Sequence, residues 1–308
     1  MKKPNFFIVG APKCGTSSLH YYLNQHPDIY LSERKEPQYF CEDFHKESDG
    51  FHLDKKFFLI RTEKEYLQLF KKADKEKIIG ESTSKYMYSK VAAENIYQFN
   101  PEAKILLSIR EPVDFLFSYH SQCLFDLVEN EKDLQSALNM EKSRKQGENI
   151  PPDTHAPSFA FYSEISQFST QIHRYKSVFP ESQIKIILFD DFRSNPEKIY
   201  REILSFLNVD DFFSIKFDMK NPNKIIRHQK LHNFFYSPVY SGVRNFFKSF
   251  LGKNARKKIK KMSISYQKRP KYSEDFIMSL KKEYINEVTV LSNILNRDLI
   301  DLWGYKHL

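Results

Sequence analysis

Residues 5–19 read NFFIVGAPKCGTSSL. Residues 5–10 are an apolar run closed by a glycine, the pattern of a short strand buried on both faces, and residues 17–25 carry helix-compatible apolar spacing. The implied order is strand, loop, helix. In a parallel sheet this is where backbone amides and a helix N-terminus converge on an anion. Gly10 and Gly15 let the chain wrap closely, Pro12 stiffens the turn, Thr16, Ser17 and Ser18 add hydroxyls, and Lys13 brings an ammonium. With Cys14, the run Lys13, Cys14, Gly15, Thr16, Ser17, Ser18 forms the expected phosphate grip. A merely tight turn needs neither the lysine nor three consecutive hydroxyl residues.

Three further apolar runs follow: KIIGES at 77–82, KILLSI at 104–109 and QIKIILF at 183–189. Helical patterns cover 88–100, 112–128, 159–179, 196–207 and 273–295. Strands alternating with helices predict an α/β fold, a P-loop-like three-layer domain whose central parallel sheet is flanked by helices and binds ligands beyond the strands' carboxyl ends. At 308 residues and 41% hydrophobic content, one domain over residues 1–308 is expected. Within it, the polar stretch 129–157, with its Pro151-Pro152 pair, reads as a helix followed by an irregular insertion near an acceptor cleft. Residues 248–271 form a basic segment.

The loop departs from the triphosphatase pattern GxxxxGK[ST], because its lysine lies inside the loop and Thr16 follows Gly15 where that pattern has lysine. This weakens the rival reading of a nucleotide kinase or ATPase. The charge of +9 favours polyanionic partners in general. A nucleic-acid-binding protein is the second rival, but the aromatic residues fall inside strand and helix patterns, with no RNP-like or zinc-finger pattern. No nucleic-acid partner is expected. Cys14, Cys41 and Cys123 offer neither a disulfide framework nor a CxxC pair, and the histidines are scattered, so no metal is expected. The first apolar run is too short for a signal peptide and no run reaches the length of a membrane span, which gives a cytoplasmic expectation.

Three ordered stretches carry a resemblance: PKCGTSSL (12–19), HPDIYLSERKEPQYF (26–40) and ILLSIREPVDFLFSYH (105–120). Together they resemble the sulfotransferases that use PAPS (3′-phosphoadenylyl sulfate), nearer the heparan-sulfate and bacterial carbohydrate-type branch than the steroid- and phenol-sulfating one. Residues 179–209 and NRDLIDLW (296–303) extend the likeness over nearly the whole chain. The resemblance implies PAPS as donor, PAP (3′-phosphoadenosine 5′-phosphate) as product, and no metal.

It also implies roles. Arg110 and Ser118, leaving the third strand and lying eight residues on, would bind the 3′-phosphate, for which a guanidinium fork is well shaped. Taken without that context, Arg110 reads as an ion pair with Glu111 or Asp114. Lys268 and Arg269 align loosely with a donor-binding Lys-Gly-Arg loop, but the glycine is missing. In-line displacement at sulfur would rely on Lys13 at the leaving oxygen and on a base near the acceptor. Glu36 matches the catalytic glutamate of the glycan enzymes and is the first choice; His120 and Glu81 remain alternatives. Several relatives carry lysine after the latter glutamate, where this chain has Ser82, and Lys85 can compensate from three residues on. Tyr86, Tyr88, His52 and His155 are candidate walls of the acceptor pocket. The implied acceptor is a glycan or small molecule offering a hydroxyl or an amine.

Overall fold

The computed structural model describes residues 2–212, 214–217, 225–226, 264–265, 272–306 and 308. The opening run forms strand β1 (Phe6–Gly10), buried at every position. Its side chains alternate as a strand's must: Phe7 and Val9 join one apolar layer with Ile105 and Leu107, while Phe6 and Ile8 join the other with Leu106. Helix α1 (Thr16–Leu23) follows, then β2 (Ile29–Leu31), α2 (Glu42–Phe51), α3 (Glu63–Leu67), β3 (Ile78–Ser82), α4 (Ala92–Phe99), β4 (Lys104–Ile109) and α5 (Pro112–Phe125). The strands β1 to β4 and β5 (Ile184–Leu188) pair in parallel in the order β2-β3-β1-β4-β5. This is the expected α/β architecture, a parallel sheet with apolar layers on both faces. Chain order reverses on either side of β1, so the crevice beyond its carboxyl end is the natural ligand site.

The edge strand β2 was not anticipated. At three residues inside HPDIYL it is too short to show a period, and it is fixed by pairing with Ile78–Gly80. The helix expected over 159–179 is broken into a 3-10 turn at Pro157–Ala160, then α8 (Tyr162–Ile165) and α9 (Phe168–Lys176). Side chains explain the break. Ser166 Oγ donates back to Tyr162 O (2.8 Å), Gln171 Nε2 caps the freed carbonyl of Ile165 (3.0 Å), and the Glu287 carboxylate accepts from Ser169 N (2.8 Å) and Ser169 Oγ (2.5 Å).

In the stretch 129–157 the helical part is two short helices, followed by turns and bends over 146–156. The helices are α6 (Leu134–Asn139) and α7 (Glu141–Lys145), pinned by a fully buried pair in which Arg144 meets both Glu129 oxygens at 2.7 and 2.9 Å. After β5 come α10 (Phe189–Ser194) and α11 (Pro196–Leu207), and near the C-terminus α12 (Glu274–Leu295) and α13 (Leu299–Leu302). Two short strands, Ile225–Ile226 and Ile264–Ser265, pair antiparallel.

Candidate functional site

The loop between β1 and α1 is shaped by two glycines at positions where any side chain would be strained and crowded. A Cβ on Gly10 (φ +150) would lie 2.6 Å from Met87 Cβ and 2.7 Å from Ser84 O, and one on Gly15 (φ +84) would lie 2.9 Å from the Phe192 ring. The loop is sewn to β4, since Ala11 N donates to Ser108 O (2.7 Å) and Ser108 Oγ donates to Cys14 O (2.6 Å). Cys14 turns its N–H back to Ala11 O and buries its thiol, whose pKa burial pushes up to about 12. It shapes the loop rather than offering a side-chain ligand. The N–H groups of Gly15, Thr16 and Ser17 have no acceptor among the described residues, whereas Ser18 N is spent on Gly15 O. Such a row of amides at a helix start is suited to an anion.

Lys13, itself at a left-handed φ of +64, donates from Nζ to Gln122 Oε1 at 2.7 Å. Arg110 is 5% exposed at the end of β4, with its guanidinium 4.7 Å from the centre of the Phe189 ring. Its Nε donates to Asp114 Oδ2 (2.6 Å) and one terminal nitrogen to Lys13 O (3.4 Å). The ion pair is thus with Asp114. Glu111 instead caps α5, accepting from Val113 N (3.0 Å) and Asp114 N (2.5 Å). Asp114, Ser118 and Gln122 repeat every four residues and share one face of α5, the face that meets Arg110 and Lys13. The hydroxyl of buried Ser118 has no partner among the described residues. His120 lies on the opposite face, its Nε2 2.8 Å from Glu131 O. Lys268 and Arg269 lie outside the described residues.

The loop after β2 brings the second group of side chains to the same end of the sheet. Glu36 N donates to Ser82 O (2.8 Å), and the Glu36 carboxylate accepts from Ser84 N (3.0 Å) and Ser84 Oγ (2.9 Å). Burial raises its pKa, against the pull of Lys35, Ser84 and Lys85. Lys35 donates to Ser17 Oγ at 2.5 Å, and burial lowers its own pKa. Lys85 reaches the Tyr119 hydroxyl (2.5 Å) and lies 4.0 Å from the centre of the Phe159 ring; burial lowers its pKa to about 8. Lys35, Glu36 and Lys85 are all enclosed by protein enough to shift, yet each keeps part of its surface open.

Other expected residues fall elsewhere. Glu81 has no exposed surface and accepts from Tyr66 OH (2.9 Å), Tyr86 OH (2.7 Å) and Thr83 Oγ1 (2.6 Å). Tyr86 is enclosed with it, and Tyr88 is buried beside Ser158 and Glu164. His52 Nε2 lies 2.6 Å from Thr154 O, and His155 stacks on Phe57 at 4.6 Å. Sequence reasoning passed over Gln122, Ser84, Phe189 and Phe192. Only Gln122 left a signal, its place one turn beyond Ser118. Among the described residues there is no group of three or more His, Cys, Asp or Glu that could hold a metal, and no helix long and apolar enough to cross a membrane.

Comparison with known proteins fits this geometry. Residues 4–213 match the model of the sulfotransferase family. A membrane-associated sulfotransferase of Dictyostelium discoideum is 23% identical over 80% of this chain and 63% of its own length. Carbohydrate sulfotransferase 15 of Rattus norvegicus is 23% identical over 67% of this chain and 44% of its own. The chain therefore spans less than two thirds of these relatives. A crystal structure of a sulfotransferase from Alicyclobacillus acidocaldarius superposes with a TM-score of 0.68 at 26% identity, covering 97% of this chain and 98% of the other. The parallel sheet, the glycine-bound loop and the family match converge on one conclusion: the chain belongs to the sulfotransferase family.

Proposed function

We propose that this chain takes the sulfuryl group of PAPS and passes it, by in-line displacement, to a hydroxyl or amine of a glycan or small-molecule acceptor. The observation that carries the reading is the meeting of two cations from different strand ends, with Arg110 donating to the carbonyl of Lys13 at 3.4 Å while Lys13 reaches along α5 to Gln122. Two anion grips this close suit a nucleotide with phosphates at both ends. Lys13 and the amides of Gly15, Thr16 and Ser17 take the 5′ side. Arg110 and Ser118 take the 3′-phosphate, with Asp114 holding the guanidinium fork.

Glu36, gripped by Ser84 on both oxygens, removes the acceptor's proton as the acceptor atom bonds to sulfur. The bond from sulfur to the phosphate oxygen breaks, PAP leaves with that electron pair, and Lys13 stabilises the charge on the leaving oxygen. Glu81 and His120 are tied to core hydroxyls and to a backbone carbonyl, which favours Glu36 as the base. Lys85 flanks the acceptor side, and Lys35 reaches from it to Ser17 of the donor loop. The named substrates of two relatives, a carbohydrate sulfotransferase and a human heparan sulfate N-deacetylase/N-sulfotransferase, favour a glycan acceptor. The reading treats the chain as one metal-free catalytic unit, cytoplasmic and without a nucleic-acid partner.

The test is transfer from labelled PAPS to a panel of glycan, hydroxyl and amine acceptors. Lys13→Ala and Glu36→Gln are expected to lose transfer, with Glu36→Gln still binding PAP. PAP is expected to raise Tm without magnesium, and ATP is not. Full transfer by Glu36→Gln removes that residue from the chemistry, and stabilisation by magnesium-ATP but not PAP would overturn the reading in favour of a kinase or ATPase.

A further inference from the structure

Helix α10 touches both anion grips at once. Its Phe189 ring is the platform under the Arg110 guanidinium, and Phe192 and Phe189 together occupy the space next to Gly15 in the phosphate loop. The six-residue helix is short, so its position depends on what holds it. The holding groups come from the end of the chain. Arg297 forms a two-point pair with Asp191, Trp303 Nε1 donates to Asp190 Oδ2 at 3.0 Å, and Tyr305 donates its hydroxyl to Glu111 Oε1.

Glu111 is the residue after Arg110 and the cap of α5, so the last of these bonds fixes the turn from which the Arg110 side chain departs. Lys281 of α12 in turn secures the clasp, donating to Trp303 O (2.7 Å) and Gly304 O (3.2 Å). Trp303 and Tyr305 are 7% and 2% exposed, so their polar atoms are committed inside the protein. The charge of the guanidinium is set by its own chemistry; beyond its direct pair with Asp114, its aim is set by the Phe189 ring below it and the Glu111 turn behind it. Both of these are held by the same C-terminal residues.

We propose that the C-terminal segment from Arg297 to Tyr305 is a positioning clasp for nucleotide recognition, aiming Arg110 at the 3′-phosphate through the Phe189 platform and the Glu111 cap. This rests on the assignment of Arg110 to the 3′-phosphate. Tyr305 and Trp303 act through other residues and touch no substrate. Their loss should blunt recognition of the 3′-phosphate while sparing the phosphate loop's hold on the 5′-phosphate.

The experiment compares PAP with adenosine 5′-phosphate, which lacks the 3′ group, on the wild-type chain, Tyr305→Phe and Trp303→Phe. Binding is measured by calorimetry, and the Tm of each protein is recorded without ligand. Tyr305→Phe removes a single hydroxyl and is expected to weaken PAP roughly tenfold, the scale of one hydrogen bond to a charged group. Affinity for adenosine 5′-phosphate is expected to stay within about twofold of wild type. Trp303→Phe, which keeps a buried ring and loses the indole donor, should behave alike. Equal losses for both nucleotides would mark the segment as general scaffolding, and no loss for either would show that Arg110 is aimed without it; each outcome overturns the clasp alone. Wild-type protein that binds PAP no better than adenosine 5′-phosphate would overturn the 3′-phosphate assignment and the clasp with it.

Discussion

The ammonium of Lys35 lies 2.5 Å from the hydroxyl of Ser17. This contact runs from the loop after β2 to the first turn of α1, joining the side that carries Glu36 to the side that carries the phosphate grip. Because Lys35 and Glu36 are neighbours in the chain, one side chain reaches the donor loop while the next presents a carboxylate to Ser84. Burial lowers the pKa of Lys35, so its charge is held in a poorly solvated place where a hydrogen bond to it is strong.

Lys35→Met keeps the apolar stem and removes the ammonium. A charge-assisted hydrogen bond of about 1.5–3 kcal/mol predicts a loss in kcat of roughly ten- to a hundredfold, with the Kd for PAP changing less. Single-turnover transfer and PAP titration, run on the same protein, separate the two. An unchanged kcat would show that the contact serves only to close the loop.

The proposed transfer also predicts a pH profile. As the proposed base Glu36 must be ionised to take a proton, and burial raises its pKa above the usual 4.5, so the acid limb of kcat is expected to lie higher than for an ordinary carboxylate. Lys85, lowered by burial to about 8, loses its charge as pH rises through that value, so activity falls there if the ammonium steadies the acceptor side. Lys85→Arg keeps a positive charge that does not titrate in this range and can still stack on Phe159. The alkaline limb should move upward in that variant while the acid limb stays. An alkaline limb unmoved by Lys85→Arg assigns it to another group.

How much of this was legible in residues alone follows from the distance over which each feature is decided. The unit β1, loop and α1 could be read because its cues sit within fifteen consecutive residues: an apolar run, two glycines, a lysine and a row of hydroxyls. For Arg110 and Ser118 an apolar run fixed only their places, after β4 and on α5; the roles given them came from the family resemblance. The bond from Lys13 to Gln122 joins residues 109 apart, and the Phe189 platform comes from beyond β5; no local pattern announces either. Tertiary contact also overrode periodicity where the helical spacing of 159–179 was cut by Glu287 seizing Ser169. Glu81 and Tyr86 looked like pocket residues from their place at a strand end, but their polar atoms face each other inside the core.

The helical stretch between α5 and the 3-10 turn is expected to depend on Glu129. Its carboxylate meets Arg144 and also accepts from Tyr162 OH at 2.7 Å, and the side chains of Glu129 and Arg144 are 1% and 0% exposed. Removing one partner of such a pair leaves an uncompensated buried charge, so Glu129→Gln should cost about 3–5 kcal/mol. The double change Glu129→Met with Arg144→Met should cost less than the single one, since no charge remains to be paired. Urea unfolding of the three proteins decides the point; a double variant less stable than the single one would mean that packing, not charge, anchors this stretch.

Glu81 couples stability to pH with a definite sign. Burial pushes its pKa from 4.5 up to about 7, against three hydroxyl donors that favour the ionised form. The folded protein therefore holds this proton more tightly than the unfolded chain, and the stabilisation is complete below 4.5 and lost as pH rises through 7. The gap corresponds to roughly 3 kcal/mol. In Glu81→Gln the amide oxygen keeps the bonds from Tyr66 and Tyr86, and Thr83 can rotate to accept from the new NH2, so the fold is retained without a titrating group. The free energy of unfolding of wild type relative to this variant should fall between about pH 4.5 and about pH 7 by an amount of that order. Curves that run parallel across the range would show that the proton is not held by Glu81, and that its three hydroxyl partners keep the carboxylate ionised in the core.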